Sequence, residues 1–251
     1  MSVESCGISD PGCVRPHNED RILLVPVSGL YAVCDGMGGH KRGEVAAELA
    51  ITALRYYVDA SRDGDVTWPF GYNFDVSLNA NRLMTAIRLA NREIWRRAGE
   101  ELESAGMGTT IAAVLLEDAR AVIANVGDSR VYHLRDKLLT QVTVDDTLVN
   151  SMAQRGLLNA QQLQNHPMRN LLSQAAGSQE TIEVHVWEEQ LEQGDVLLIA
   201  SDGLHGVIGD ADVCSILDSG DGMEQIMNSL VQAAKAAGAP DNVSIVLLRY
   251  S

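Results

Sequence analysis

The chain has 251 residues, 46% of them hydrophobic and 21% charged, with a formal net charge of −15. That composition is globular rather than disordered, and the length suits one large domain or two small ones. The acidity repels nucleic acid and acidic membranes and argues against both as partners, while favouring cations and basic protein segments. The four cysteines, Cys6, Cys13, Cys34 and Cys214, show no Cys-x-x-Cys spacing and read as reduced thiols. The residues around Glu4 do not resemble a secretory leader, and no apolar run approaches the ~18 residues of a membrane span. The expected location is cytoplasmic.

In chain order, Val3 to Ser9, Ile22 to Val27 and Leu30 to Cys34 are expected as strands. From Gly43 to Val58 the period becomes helical, with Val45, Ala46, Leu49, Ala50, Ala53 and Leu54 on one face. Asp59 to Ser77 loses periodicity and predicts an exposed loop pinned by Trp68, Phe70 and Phe74. A second helix is expected from Leu78 to Ser104, with Leu83, Ile87, Ala90, Ile94 and Ala98 inward. Strands follow at Thr109 to Leu116, Ala119 to Val126 and Arg130 to Leu134, with Glu117-Asp118 as a tight hairpin turn. Thr147 to Gln179 is polar and mixed, with one short helix near Leu148 to Arg155. Two more strands, Ile182 to Glu188 and Val196 to Ala200, precede a helix from Gly222 to Ala237. Gly238 and Pro240 end that helix, and Val243 to Leu248 closes the chain as a strand. Strands in runs and helices in pairs do not alternate as a parallel sheet requires. They predict an α+β fold with a sheet-on-sheet core and helices outside.

Four motifs carry the chemistry. They are Arg15-Pro16-His17-Asn18-Glu19-Asp20, Asp35-Gly36-Met37-Gly38-Gly39-His40, Ser201-Asp202-Gly203 and Asp241-Asn242. Asp35 and Asp202 end apolar runs and Asp241 precedes one, so three carboxylates stand at strand ends. Each alone is as readily a turn or cap residue. Together they cannot share a site as bare anions, because mutual repulsion raises their pKa values. Oxygen-rich sites suit Mg²⁺ or Mn²⁺, and the Gly36 carbonyl beside Asp35 is a sensible further ligand. Arg15 offers a planar fork for phosphate oxygens, or else a surface ion pair with Glu19. Glu19 and Asp20 suit metal-bound waters, and His40 a general acid for a leaving oxygen. Gly127-Asp128-Ser129-Arg130 reads three ways: a hairpin turn, a ligand turn carrying Asp128, or a nucleophile turn in which Ser129 works with Asp202 and His205.

The ordered set resembles the PPM-type family, the type 2C metal-dependent serine/threonine protein phosphatases. The likeness also takes in Glu44, Gly106-Met107-Gly108-Thr109-Thr110, Asn125 to Arg130 and Leu204. It implies one catalytic domain over residues 1–251, a four-layer αββα sandwich of two antiparallel sheets flanked by helix pairs. It implies two Mn²⁺ or Mg²⁺ ions, with Asp35 bridging, the Gly36 carbonyl on one, Asp202 and Asp241 on the other, and Asp128 joining Asp202 at a third. Arg15 would hold phosphate and His40 would protonate the leaving oxygen. The implied reaction is attack on phosphorus by a water or hydroxide bridging the two ions, without a phosphoenzyme. Implied partners are phosphorylated proteins, among them a serine/threonine kinase or its targets, and the expected state is a monomer. Residues 147–179 correspond to the variable flap. Where the family often reads Asp-His-Ser or Asp-His-Thr, this chain has Asp145-Asp146-Thr147, which puts the flap's packing in question. A serine esterase using Ser129 and His205, and a non-catalytic binding module, are the alternatives.

Overall fold

The structure, a computed structural model, describes residues 2–38, 42–63, 66–100, 104–159, 162 and 166–251. Its strands are β1 (Val3–Asp10), β2 (Arg21–Val25), β3 (Leu30–Cys34), β4 (Gly36–Met37), β5 (Gly108–Thr109), β6 (Ile111–Glu117), β7 (Arg120–Val126), β8 (Arg130–Arg135), β9 (Leu138–Gln141), β10 (His185–Gln190), β11 (Val196–Ala200) and β12 (Val243–Tyr250). Its α-helices are α1 (Arg42–Ala60), α2 (Leu78–Glu100), α3 (Leu148–Gln154), α4 (Asp202–His205), α5 (Asp210–Leu217) and α6 (Met223–Ala236).

Two antiparallel sheets carry the fold, in the orders β1-β12-β11-β8-β9 and β10-β7-β6-β3-β2. Two of their central strands, Leu30–Cys34 and Val196–Ala200, are apolar at every position. A strand with both faces apolar must be covered on both sides. Tyr31 and Val33 of β3, with Leu197 and Ile199 of β11, therefore point between the sheets. Leu30, Ala32 and Cys34 point instead to α1 and α2, whose Ala46, Ala50, Leu54, Leu83, Ile87 and Ile94 are fully buried. On the other sheet, Leu198 and Ala200 meet Val213 of α5 and Ile226 and Leu230 of α6. The result is the expected αββα order of layers. Each buried Leu or Ile contributes ~1.5–3 kcal/mol relative to exposure.

Several boundaries differ from the sequence reading. β2 stops at Val25 because Pro26 has no N–H to give a ladder, and Pro26–Ser28 forms a 3₁₀ turn. β9 and α5 had no counterpart in the sequence reading. β10 begins at His185 rather than Ile182, because Asn91 of α2 and Gln174 take up backbone groups of residues 179, 180 and 183. Phe74 does not pin the 59–77 loop, being 90% exposed. Trp68 does, edge-on to Tyr57 and Tyr72 at 6.2 and 5.1 Å. Residues 101–103 of the expected second helix lie outside the described residues.

Antiparallel register decides where the carboxylates go. The C-terminal ends of β3, β7 and β11 and the N-terminal ends of β8 and β12 all lie at one end of the two sheets. The pairs Ala200↔Ile245 and Ala200↔Arg130 set one sheet's edge, and Ile111↔Val126 sets the other's.

Candidate metal centre

Asp35 leaves β3 under tight backbone control. Its N–H donates to Thr110 Oγ1 at 3.0 Å, and its carbonyl accepts from Thr110 N at 2.8 Å and Thr109 Oγ1 at 2.9 Å. Gly36 follows against the start of α1, where a Cβ would sit 2.2 Å from the Gly43 carbonyl oxygen. Only glycine permits that approach, so the turn that exposes the Gly36 carbonyl is built into the sequence. Asp202 is the first residue of α4, after Ser201 at the N-cap. The next residue, Gly203, packs on the turn into β12, and a Cβ there would lie 1.9 Å from the Asn242 carbonyl oxygen.

Asn242 joins the segment after β1 to the turn before β12. Its Oδ1 accepts from Glu19 N at 2.9 Å, and its Nδ2 donates to the carbonyls of Pro11 and His17, each at 3.0 Å. Its own N–H donates to Asp241 Oδ1 at 2.9 Å. The second Asp241 oxygen accepts from Arg15 Nη2 at 2.7 Å. Asp128 sits in the turn between β7 and β8. Gly127 N donates to Asp146 Oδ2 at 2.9 Å, and Ser129 and Thr110 share a hydroxyl hydrogen bond of 2.7 Å behind it.

A cleft of about 790 Å³ opens over this end of the sandwich, lined by Arg15, Glu19, Asp35, Asp128, Asp202 and Asp241. Its electrostatics are those of crowded anions. Burial, then the charges of Asp20, Asp202, Asp128 and Asp241, hold the Asp35 carboxyl well above the usual range. Burial, then Asp202 and Asp145, push Asp128 up to about 7. Burial raises Asp20 to about 6, against the pull of hydrogen bonds from Ser244 and Ser201. Asp202 is raised by burial and then by Asp241. One Asp202 oxygen, Oδ1, is buried without a partner. Among the described residues no three acidic side chains close on a single point, and Asp241 is engaged by Arg15. An oxygen-only donor set, an orphaned buried carboxylate oxygen and an uncompensated cluster of negative charge fit a hard divalent cation.

The expected site residues fare differently. Arg15, Glu19, Asp35, Gly36, Asp128, Asp202 and Asp241 all line the one cleft. Asp20 lies beneath it, 2% exposed, accepting from Ser201 Oγ at 2.9 Å. Arg15 pairs with Asp241 rather than with Glu19, because Asn242 ties the segment after β1 to the turn that carries Asp241. His40 lies outside the described residues. The esterase alternative fails on geometry, since Ser129 is fully buried with its hydroxyl taken by Thr110. His205 is half-buried with its Nε2 enclosed, and desolvation followed by Arg130 lowers its pKa well below the ordinary value.

Asn242, Ser201 and Thr110 were quoted in motifs without a role; they position the acidic residues. A polar residue next to each carboxylate was the available signal. Asp145 and Asp146, the second of which replaces the family's usual histidine, hold the turn after β7 and the segment around Gln174. Asp145 makes a two-point ion pair with Arg130, and Asp146 accepts from Gly127 N, Gln174 Nε2 and His185 Nε2.

The family model described as protein phosphatase 2C matches residues 16–247. The chain belongs to the protein phosphatase 2C family. Among relatives in that family, it is 32% identical over 247 residues to the serine/threonine phosphatase stp of Listeria innocua, covering 96% of this chain and 93% of that protein. It is 35% identical over 239 residues to the serine/threonine protein phosphatase PstP of Mycobacterium tuberculosis. That match covers 95% of this chain but only 43% of PstP, so the chain spans less than half the length of that relative. A crystal structure of the PstP catalytic domain in complex with two manganese ions superposes with a TM-score of 0.82 at 32% identity, covering 98% of this chain and 97% of that one.

Proposed function

We propose that this protein is a metal-dependent protein phosphatase that hydrolyses phosphoserine and phosphothreonine. The observation that carries the reading is the gathering of Asp35, Asp128, Asp202 and Asp241 at one cleft, with a buried Asp202 oxygen left unpartnered. Asp35, the Gly36 carbonyl, Asp202 and Asp241 would hold two Mn²⁺ or Mg²⁺ ions, and Asp128 a third with Asp202. When bound, such a cation pair supplies counter-charge, lowers the pKa of a water and polarises phosphoryl oxygens.

The rest follows from the chain's own groups. Thr109 and Thr110 fix the Asp35 backbone, so its carboxylate needs little reorganisation. Asp20, held by Ser201, and Glu19, held through its backbone by Asn242, orient the inner edge of the cleft. Arg15 stands 53% exposed at the rim, where its guanidinium can exchange Asp241 for the oxygens of an incoming phosphate. His40 is assigned the protonation of the leaving oxygen on the motif alone. A cytosolic monomer that reverses a serine/threonine kinase completes the reading.

The test is turnover of a phosphothreonine peptide in EDTA and then in Mn²⁺. The expected result is activity abolished by chelation and restored by metal, and lost by at least about a hundredfold in Asp35→Asn. Activity indifferent to EDTA, or wild-type turnover in the variant, would sink the proposal.

A further inference from the structure

A second cavity of about 1160 Å³ lies beyond the turn that borders the catalytic cleft, and Ser178 lines both. Its floor is the C-terminal half of α2, with Arg88, Arg92, Trp95 and Arg96. Its far wall is the segment around Gly177 and Ile182. Asn91 welds that wall to α2: its Oδ1 accepts from Gly177 N at 2.7 Å, and its Nδ2 donates to the Gln179 and Glu180 carbonyls at 3.1 and 3.0 Å. The groove is therefore a fixed feature that adjoins the cleft across the turn carrying Ser178.

Its chemistry stands apart from the rest of the surface. Acidic residues outnumber basic ones by 34 to 19 in this chain, yet five of the arginines lie on α2. Arg88, Arg92 and Arg96 recur every four residues and so line one helix face over ~12 Å. Glu93 and Glu100 engage Arg96. Among the described residues Arg88 and Arg92 have no ion pair, and Glu180 is the only acidic side chain on the far wall. The Arg92 guanidinium lies 5.5 Å from the Phe70 ring centre, which holds it in place. Trp95 is 43% exposed beside them. Arginines flanking an exposed indole match carboxylates alternating with apolar side chains.

Resting on the phosphatase reading, we infer that this groove docks an acidic, apolar-containing segment of the substrate polypeptide that flanks the phosphorylated residue in the cleft. An extended strand of about four residues spans the arginine row. The chain's overall negative charge repels such a segment at a distance, so attraction is confined to the arginines' own neighbourhood, within the ~8–10 Å Debye length.

The experiment compares three substrates with Mn²⁺: p-nitrophenyl phosphate and two phosphothreonine peptides whose flanks, on either side, carry Glu-Phe-Glu or Lys-Phe-Lys. The expected wild-type preference for the acidic peptide is about tenfold in kcat/KM, carried by KM and weakened by salt. Arg88→Glu/Arg92→Glu should reverse that preference and leave p-nitrophenyl phosphate turnover and Tm unchanged. Arg88→Lys/Arg92→Lys should retain part of it. Equal use of the two peptides by the wild type, or an unchanged preference in the Glu variant, would overturn the docking site while leaving the phosphatase reading intact. Absence of turnover on all three would remove the phosphatase reading itself.

Discussion

Asp128→Asn is expected to make the metal-free protein more stable while making it a worse enzyme. In the fold, Asp128 titrates near 7 against an ordinary value of 3.8, because it is buried and faces Asp202 and Asp145. The folded state therefore binds this proton more tightly than the unfolded chain, and stability is lost as pH rises from about 4 through about 7. A separation of that size corresponds to a ceiling of roughly 4 kcal/mol above pH 7. One edge of the carboxylate faces the solvent of the cleft, so about 1–2 kcal/mol is the realistic gain on removing the charge. For a chain of this length that is a rise in Tm of ~2–8 °C at pH 8 in EDTA. At pH 5 the wild-type carboxyl is already protonated and the difference should vanish. Added Mn²⁺ should shrink or reverse it, since the anion is then compensated. The assay is a thermal melt of both proteins at pH 5 and pH 8, with EDTA or Mn²⁺. A variant less stable than wild type at pH 8 in EDTA, or a difference independent of pH, would refute the account of these carboxylates as uncompensated charge.

Three further outcomes are expected. Arg15→Ala should raise KM for a phosphopeptide by about tenfold and change kcat less, because a rim guanidinium serves binding more than chemistry; an unchanged KM would argue against the phosphate clamp. Gly203→Ala should cost ~1–3 kcal/mol or more, since its Cβ would meet the Asn242 carbonyl oxygen at 1.9 Å; a denaturant melt matching wild type would show that the α4 turn can yield. His185 is raised above its ordinary value of 6.5, first by its hydrogen bond to Asp146. Its stabilisation is complete below pH ~6.5 and is lost as pH rises through the raised value. Limited proteolysis of the segment around Gln174, which shares Asp146 with His185, should accelerate over that window in wild type but not in His185→Gln, and parallel pH profiles would count against the link.

The acidic motifs were legible because each is local: a carboxylate beside glycine or a small residue, at the end of an apolar run. Two buried sheets were legible for a similar reason, since Leu30–Cys34 and Val196–Ala200 are apolar at every position and need cover on both faces. Phe74 misled because an aromatic in a loop says nothing of what lies against it, and α5 and β9 escaped because short elements rely on their neighbours rather than on their own periodicity.

What only the tertiary structure decided is which distant residues meet. Arg15 and Asp241 are 226 positions apart, and Asp146 and His185 are 39 apart. No local pattern encodes these pairs. The first arises because β12 pairs antiparallel with β1, Asp10 opposite Val243, so the segment that follows β1 meets the one that precedes β12 at the cleft; the second arises because β10 pairs with β7, His185 opposite Asn125, beside the turn that Asp146 holds. The sequence by itself determined which groups could bind a cation and which faces had to be buried. The register of antiparallel strands determined that those groups share one end of the sandwich, because hydrogen-bonded pairing sets the relative position of residues far apart in the chain.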